Sequence, residues 1–177
     1  MSPGQGWAPR LAVRRVSDIP LDLLARRGIR GVVFDLDNTL VPYGREEVPP
    51  DVARWLESFR ASGLRGALVS NALPWRARRL ANRLGWPAVA GWPKPSTGRL
   101  RRAMAVLGTN PRTTALVGDQ LFTDIWPGNR LGLFTVLVEP LERREFVTTR
   151  VARWLERLVG RARLVEAASG RSPAPPG

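Results

Sequence analysis

The chain has 177 residues, 44% of them apolar, which suits one domain with a full core, and it carries a formal net charge of +13. It has no cysteine and no histidine. Disulfides, thiolate zinc sites, a cysteine nucleophile and an imidazole base are thereby excluded, so any catalysis falls to carboxylates, hydroxyls, amines or a metal.

Residues 1–10 and 169–177 are rich in Gly, Pro and Ala and read as flexible tails around a single domain at 11–168. Ser17-Asp18-Ile19-Pro20 looks like a helix start, and Gly28 ends that helix. An apolar strand follows at 31–35. Residues 50–62 form an amphipathic helix stopped by Gly63; 64–70 are a second strand; 74–84 are a basic helix stopped by Gly85. A short strand at 88–90 precedes a helix capped by Ser96 and running to Leu107. Strand 114–118, a short helix at 122–131 and strand 134–138 complete the pattern. Strands alternating with helices predict an α/β fold with a mainly parallel sheet and helices on both faces. The string Val-Ala-Arg-Trp-Leu-Glu occurs at 52–57 and again at 151–156, but nothing in its flanks repeats, so it reads as shared helix grammar.

The chemistry concentrates at the strand ends. Val32-Val33-Phe34 runs into Asp35-Leu36-Asp37, and in an extended chain both carboxylates leave on the same face. The second strand ends in Ser70-Asn71, the third leads to Trp92-Pro93-Lys94, and the fourth ends in Gly118-Asp119 with Asp124 close behind. Ligands of open α/β sheets bind at the carboxyl ends of the strands, so these groups are expected to share one crevice. A nucleophile candidate, a hydroxyl, an ammonium and extra carboxylates together suit phosphoryl transfer beside a hard divalent cation. Lys94 is the single lysine among 28 basic residues, a compact charge where a planar guanidinium is a poor replacement. Asp124 has a second reading, as a cap on the short helix.

Asp-x-Asp-x-Thr at 35–39, Ser70 after an apolar strand, Lys94 before a proline and Gly-Asp-x-x-x-x-Asp at 118–124 resemble the four ordered motifs of the haloacid dehalogenase-like (HAD) phosphatases. Phe-Asp-Leu-Asp-Asn-Thr-Leu-Val, Gly-Asp-Gln-Leu-Phe-Thr-Asp and Gly-Asn-Arg-Leu-Gly are similar to the subclass IIIA, YqeG-type branch, akin to mitochondrial phosphatidylglycerophosphate phosphatases. The resemblance implies a Rossmann-like HAD fold and a Mg²⁺-dependent phosphomonoesterase working through an aspartyl-phosphate. It makes Asp35 the nucleophile and a metal ligand. Asp37 becomes the acid and base, lending its carbonyl to the metal. Thr39, Ser70, Asn71 and Lys94 become phosphate-binding, and Asp119 and Asp124 further metal ligands.

Neither place at which such enzymes carry an inserted cap domain has room for one, so the enzyme is expected to be capless and to act on a large substrate. A phospholipid such as phosphatidylglycerophosphate is the first reading. Phosphoprotein or nucleic-acid phosphates are the alternative, and a non-enzymatic phospho-accepting domain the third. Trp75, Trp92 and Trp126 flank the motifs and either line the mouth of the site or pack in the core. Residues 149–168 form a basic amphipathic helix that either lies on an anionic membrane or covers the sheet. No apolar stretch approaches the roughly 18 residues that cross a bilayer. The amino end lacks a secretory h-region, so the chain reads as cytoplasmic with peripheral contact at the inner face of the membrane.

Overall fold

The computed structural model describes residues 6–69, 74–89 and 97–141. Six parallel strands form one open sheet there: β1 (Leu11–Val13), β2 (Gly31–Asp35), β3 (Arg65–Val69), β4 (Ala88–Val89), β5 (Thr114–Gly118) and β6 (Phe134–Val138). Their order is β1-β6-β5-β2-β3-β4. The helices are α1 (Leu21–Arg26), α2 (Pro50–Ala61), α3 (Pro74–Leu84), α4 (Thr97–Leu107) and α5 (Trp126–Leu131).

β2 and β5 are buried along their whole length, as expected for central parallel strands with both faces covered. Phe34, Leu68 and Val117 look into one core with Val52, Trp55, Leu56 and Phe59 of α2 and Leu80 of α3. Val33, Val69 and Leu116 look into a second with Leu100, Ala103, Met104 and Leu107 of α4. The first core is aromatic at its centre. Trp86 stacks on Phe34 with centroids 5.1 Å apart, and Phe59 and Trp55 meet Phe34 edge-on. Gly66 on β3 makes room for this stack, since a Cβ there would lie 2.3 Å from Trp86 Cε2.

Three local features depart from the sequence expectations. The helix read from Ser17 is a 3₁₀ turn at Val16–Asp18 followed by α1, because Pro20 lacks the N–H that would carry the first turn onward. β1 was not expected at all. It pairs with β6 through Leu11–Val136 and Val13–Val138, extending the sheet at its edge. The helix expected at 122–131 is split: Leu121–Ile125 is a π-turn, with the Trp126 N–H donating to the carbonyl of Leu121, and only Trp126–Leu131 is α-helical.

Within 6–10, the side-chain amide of Asn129 donates to the carbonyls of Gly6 and Ala8 at 3.0 and 2.9 Å. The Thr135 hydroxyl donates to Asn129 Oδ1 at 2.7 Å, and the Arg10 N–H donates to the Thr135 carbonyl at 2.9 Å. The Asn of Gly-Asn-Arg-Leu-Gly thus clamps the segment that leads into β1.

Candidate active site

β2 is the first strand of the central pair, and the chain proceeds from it to β3 and β4 on one side and to β5 and β6 on the other. The crevice of an open sheet lies where the order reverses, outside the carboxyl ends of the strands. Asp35 is the last residue of β2, Asp119 follows the last residue of β5, and Asp124 lies in the π-turn beyond it. One oxygen from each of these three carboxylates falls within 4.8 Å of the others. Asp35 and Asp124 are buried, 4% and 2% exposed. Asp119 is partly buried, and three carboxylates so close, two of them buried, repel one another unless a cation sits among them. A hard, all-oxygen donor set of this kind fits a divalent ion such as Mg²⁺.

The π-turn is what aims Asp124. Pro127 cannot donate to the turn before it, and the extra residue in the Gln120–Ile125 bond, 3.2 Å, turns residue 124 inward. Its Oδ2 accepts the N–H of Gln120 at 3.2 Å, so the capping role and membership of the carboxylate cluster coexist. Gly118 allows this approach, because a Cβ there would stand 2.6 Å from the Asp124 carboxylate.

Asp37 takes a different course from Asp35. The chain holds its course only as far as Asp37, which bridges to Val41. It then turns sharply, with the Asn38 N–H donating to the Val41 carbonyl at 2.8 Å, the Leu40 N–H to Leu36 at 3.1 Å, and Asn38 at φ 60°. Asn tolerates this left-handed conformation better than most residues. Asp37 is outside the three-carboxylate cluster. Its Oδ1 accepts Nη1 of Arg76 at 3.1 Å and the Gly44 N–H at 3.3 Å. Thr39 is 1% exposed, and its hydroxyl has no hydrogen-bond partner among the described residues.

Two basic residues that sequence reasoning did not single out enter the site. Arg76 projects from the first turns of α3 to Asp37, the two side chains being 11% and 15% exposed. Arg99 on α4 is 4% exposed. Burial pushes its guanidinium pKa down, and the charges of Asp124 and Asp35 oppose that shift. In a chain with 28 basic residues, nothing in the sequence separates these two from the solvated majority.

Ser70, Asn71 and Lys94 lie outside the described residues, as do Trp92 and the helix expected at 149–168. Ser70 directly follows the last residue of β3. Of the other tryptophans, Trp75 is 49% exposed. Trp126 stacks at 5.7 Å on Trp7 and at 5.9 Å on Phe122, and Arg130 lies over its ring at 4.8 Å. Trp7 and Phe122 are 42% and 53% exposed, so this stack is an open aromatic ledge one turn from Asp119 and Asp124. Among the described residues no helix is long and apolar enough to cross a membrane.

The HAD-hydrolase-like family model matches residues 91–140, and the mitochondrial PGP phosphatase model matches residues 3–77. The probable phosphatase YqeG of Bacillus subtilis is 32% identical over 153 residues, covering 86% of this chain and 89% of its own. The chloroplastic/mitochondrial phosphatidylglycerophosphate phosphatase 1 of Arabidopsis thaliana is 34% identical over 157 residues, 82% of this chain. This chain spans only 45% of that relative's length. Among solved structures, the cobalt-bound deoxy-D-mannose-octulosonate 8-phosphate phosphatase of Haemophilus influenzae aligns with a TM-score of 0.50 at 17% identity, over 63% of this chain and 69% of its own. That likeness concerns the fold alone.

Proposed function

The chain belongs to the YqeG-type branch of the haloacid dehalogenase-like phosphatases, and on that premise we propose that it is a Mg²⁺-dependent phosphomonoesterase acting on a lipid phosphate through an aspartyl-phosphate. The observation that carries the reading is the convergence of Asp35, Asp119 and Asp124 at the carboxyl ends of β2 and β5. The residues fit the ion: three hard oxygen donors stand within 4.8 Å of one another. Mg²⁺ held by Asp35, Asp119, Asp124 and the Asp37 carbonyl would offset the charge of the phosphoryl group.

In the first half-reaction a carboxylate oxygen of Asp35 attacks phosphorus. The bond from phosphorus to the ester oxygen breaks, and Asp37 gives that oxygen its proton. In the second, Asp37 takes a proton from water as the water oxygen attacks phosphorus. The bond to Asp35 breaks, releasing inorganic phosphate and restoring both carboxyl groups. The buried Thr39 hydroxyl, with no partner among the described residues, is a donor for a phosphoryl oxygen. Ser70, Asn71 and Lys94 complete this reading as phosphate ligands, Lys94 neutralising nucleophile and phosphate together.

Three features support a lipid as the substrate. The mitochondrial PGP phosphatase model and the Arabidopsis relative point to phosphatidylglycerophosphate. The exposed ledge of Trp7, Phe122 and Trp126 suits a membrane interface, where one side of a ring is apolar and the other wet. The charge of +13 favours an anionic surface. Only 14 residues, 36–49, separate β2 from α2, too few for a cap domain over the site.

The test is phosphate release from phosphatidylglycerophosphate in vesicles, from soluble phosphoesters and from a 5′-phosphorylated oligonucleotide, with wild type and Asp35→Asn side by side. Mg²⁺-dependent release from the lipid, abolished by Asp35→Asn, is expected. Hydrolysis of the oligonucleotide or the soluble esters in preference to the lipid overturns the lipid assignment. Undiminished turnover by Asp35→Asn overturns the nucleophile.

A further inference from the structure

Asp37 makes two contacts with the described residues, and both fall on the same oxygen. Arg76 Nη1 and the Gly44 N–H donate to Oδ1, at 3.1 and 3.3 Å. The other arm of the Arg76 fork, Nη2, donates to the main-chain carbonyl of Arg45. The loop so held is itself shaped to offer these groups: the Arg45 N–H closes a turn on the Pro42 carbonyl at 2.9 Å, and Gly44 takes φ 73°, where a side chain would be strained. Further along α3, Arg83 donates to the carbonyl of Glu46 at 3.1 Å and Arg79 pairs with its carboxylate at 3.6 Å. Residues 76, 79 and 83 lie on one face of α3 by their spacing. That face clasps the loop, and Arg76, the most buried of the three contacts, reaches through it to Asp37.

We infer that Arg76 is a positioning residue for Asp37, its fork locking the carboxyl group to loop 42–46 so that one oxygen alone is presented to the substrate. The inference rests on the reading of Asp37 as acid and base. A carboxyl group swings easily about its terminal torsion, which has no sharp staggered wells. Proton transfer to a leaving oxygen needs one defined oxygen within hydrogen-bond reach of it. With a guanidinium and an N–H both donating to Oδ1, the lone pairs there are committed and Oδ2 is the oxygen left to meet the substrate. Lysine cannot reproduce the clasp, because an ammonium has no planar fork to bridge a carboxylate and a carbonyl.

The discriminating measurement is leaving-group dependence. Wild type, Arg76→Ala, Arg76→Lys, Asp37→Asn and the double variant Arg76→Ala/Asp37→Asn are assayed with p-nitrophenyl phosphate, whose leaving group needs no proton, and with an alkyl phosphate, whose leaving group does. Arg76→Ala is expected to lower kcat/KM, which reports the steps up to departure of the leaving group, by about 10- to 100-fold on the alkyl ester, the scale of a misplaced catalytic group, with kcat/KM for p-nitrophenyl phosphate far less affected. Arg76→Lys is expected to recover only a small part of the loss. Once Asp37 is Asn, removing Arg76 is expected to cost under about twofold more on either ester.

Equal losses of kcat/KM on the two esters, additivity with Asp37→Asn, or full recovery by lysine overturns the proposal. Should Arg76→Ala not fold, the lysine variant carries the same comparison. Asp37→Asn losing no more kcat/KM on the alkyl ester than on the aryl ester overturns instead the acid-base reading of Asp37, separately from Arg76.

Discussion

The carboxylate of Asp124 occupies the space in which a side chain on Gly118 would begin: a Cβ at Gly118 would lie 2.6 Å from both Cγ and Oδ2 of Asp124. Substituting Gly118 by alanine must push Asp124 away, because the strand that carries residue 118 is buried throughout and cannot yield. Gly118→Ala is expected to weaken Mg²⁺ binding by about 10- to 100-fold, the usual cost of disturbing how a ligand is held. Titration calorimetry checks this without recourse to turnover. Unchanged affinity would place Asp124 outside the ion's coordination.

Arg99 sets a charge beside the same carboxylates. Removing it as Arg99→Met keeps most of the packing volume and leaves the acidic cluster without its buried counter-charge. A loss of about 3 kcal/mol is expected in the presence of a chelator, as when one partner of a buried ionic group is deleted. With saturating Mg²⁺ the loss is expected to shrink, since the cation restores positive charge at the cluster. Urea unfolding followed by circular dichroism under both conditions decides it. An equal loss in the two would assign Arg99 to packing alone.

The aromatic ledge is tested by Trp7→Ser combined with Phe122→Ser. Both rings are about half exposed, so folding stability is expected to fall only modestly. Affinity for anionic vesicles in a sedimentation assay is expected to drop by about tenfold or more, the scale of withholding two rings from an apolar phase. Turnover of a soluble ester should stay within about twofold, and a comparable fall there would mean that the ledge shapes the site itself.

Gly66 bears on the frame beneath the site. A Cβ there would meet the Trp86 ring at 2.3 to 2.5 Å, and that ring is stacked on Phe34, the residue before Asp35. Gly66→Ala is expected to destabilise by about 1 to 3 kcal/mol through overpacking. Trp86→Ala opens a cavity instead and is expected to cost about 3 to 5 kcal/mol. Thermal unfolding of the two variants measures both.

The parts of this fold legible in the sequence are those with a local cause. β2, β5 and β6 are predominantly apolar runs, and α2 and α3 end at Gly63 and Gly85, both with positive φ. Asp35, Asp119 and Asp124 could be assembled because a parallel sheet gathers the ends of its strands on one side. The remainder depends on distant partners. β1 is three half-buried residues among arginines, and only β6, more than a hundred residues later, makes them a strand. The turn that follows Asp37 depends on the left-handed Asn38, which reads equally well as an extended continuation. Arg76 and Arg99 are ordinary helix arginines until tertiary packing buries them.

The pairing of Leu11–Val13 with Val136–Val138 also dictates when the sheet can be finished. During synthesis the amino-terminal strand waits for nearly the whole domain to emerge, and loop closure over so long a separation is slow. Until it docks, β6 presents an open row of N–H and C=O groups along an apolar edge, the kind of template on which chains join one another. The Asn129 clamp on Gly6 and Ala8 thus guards against misassembly, because it holds the late-arriving strand over the edge most prone to recruit a second molecule.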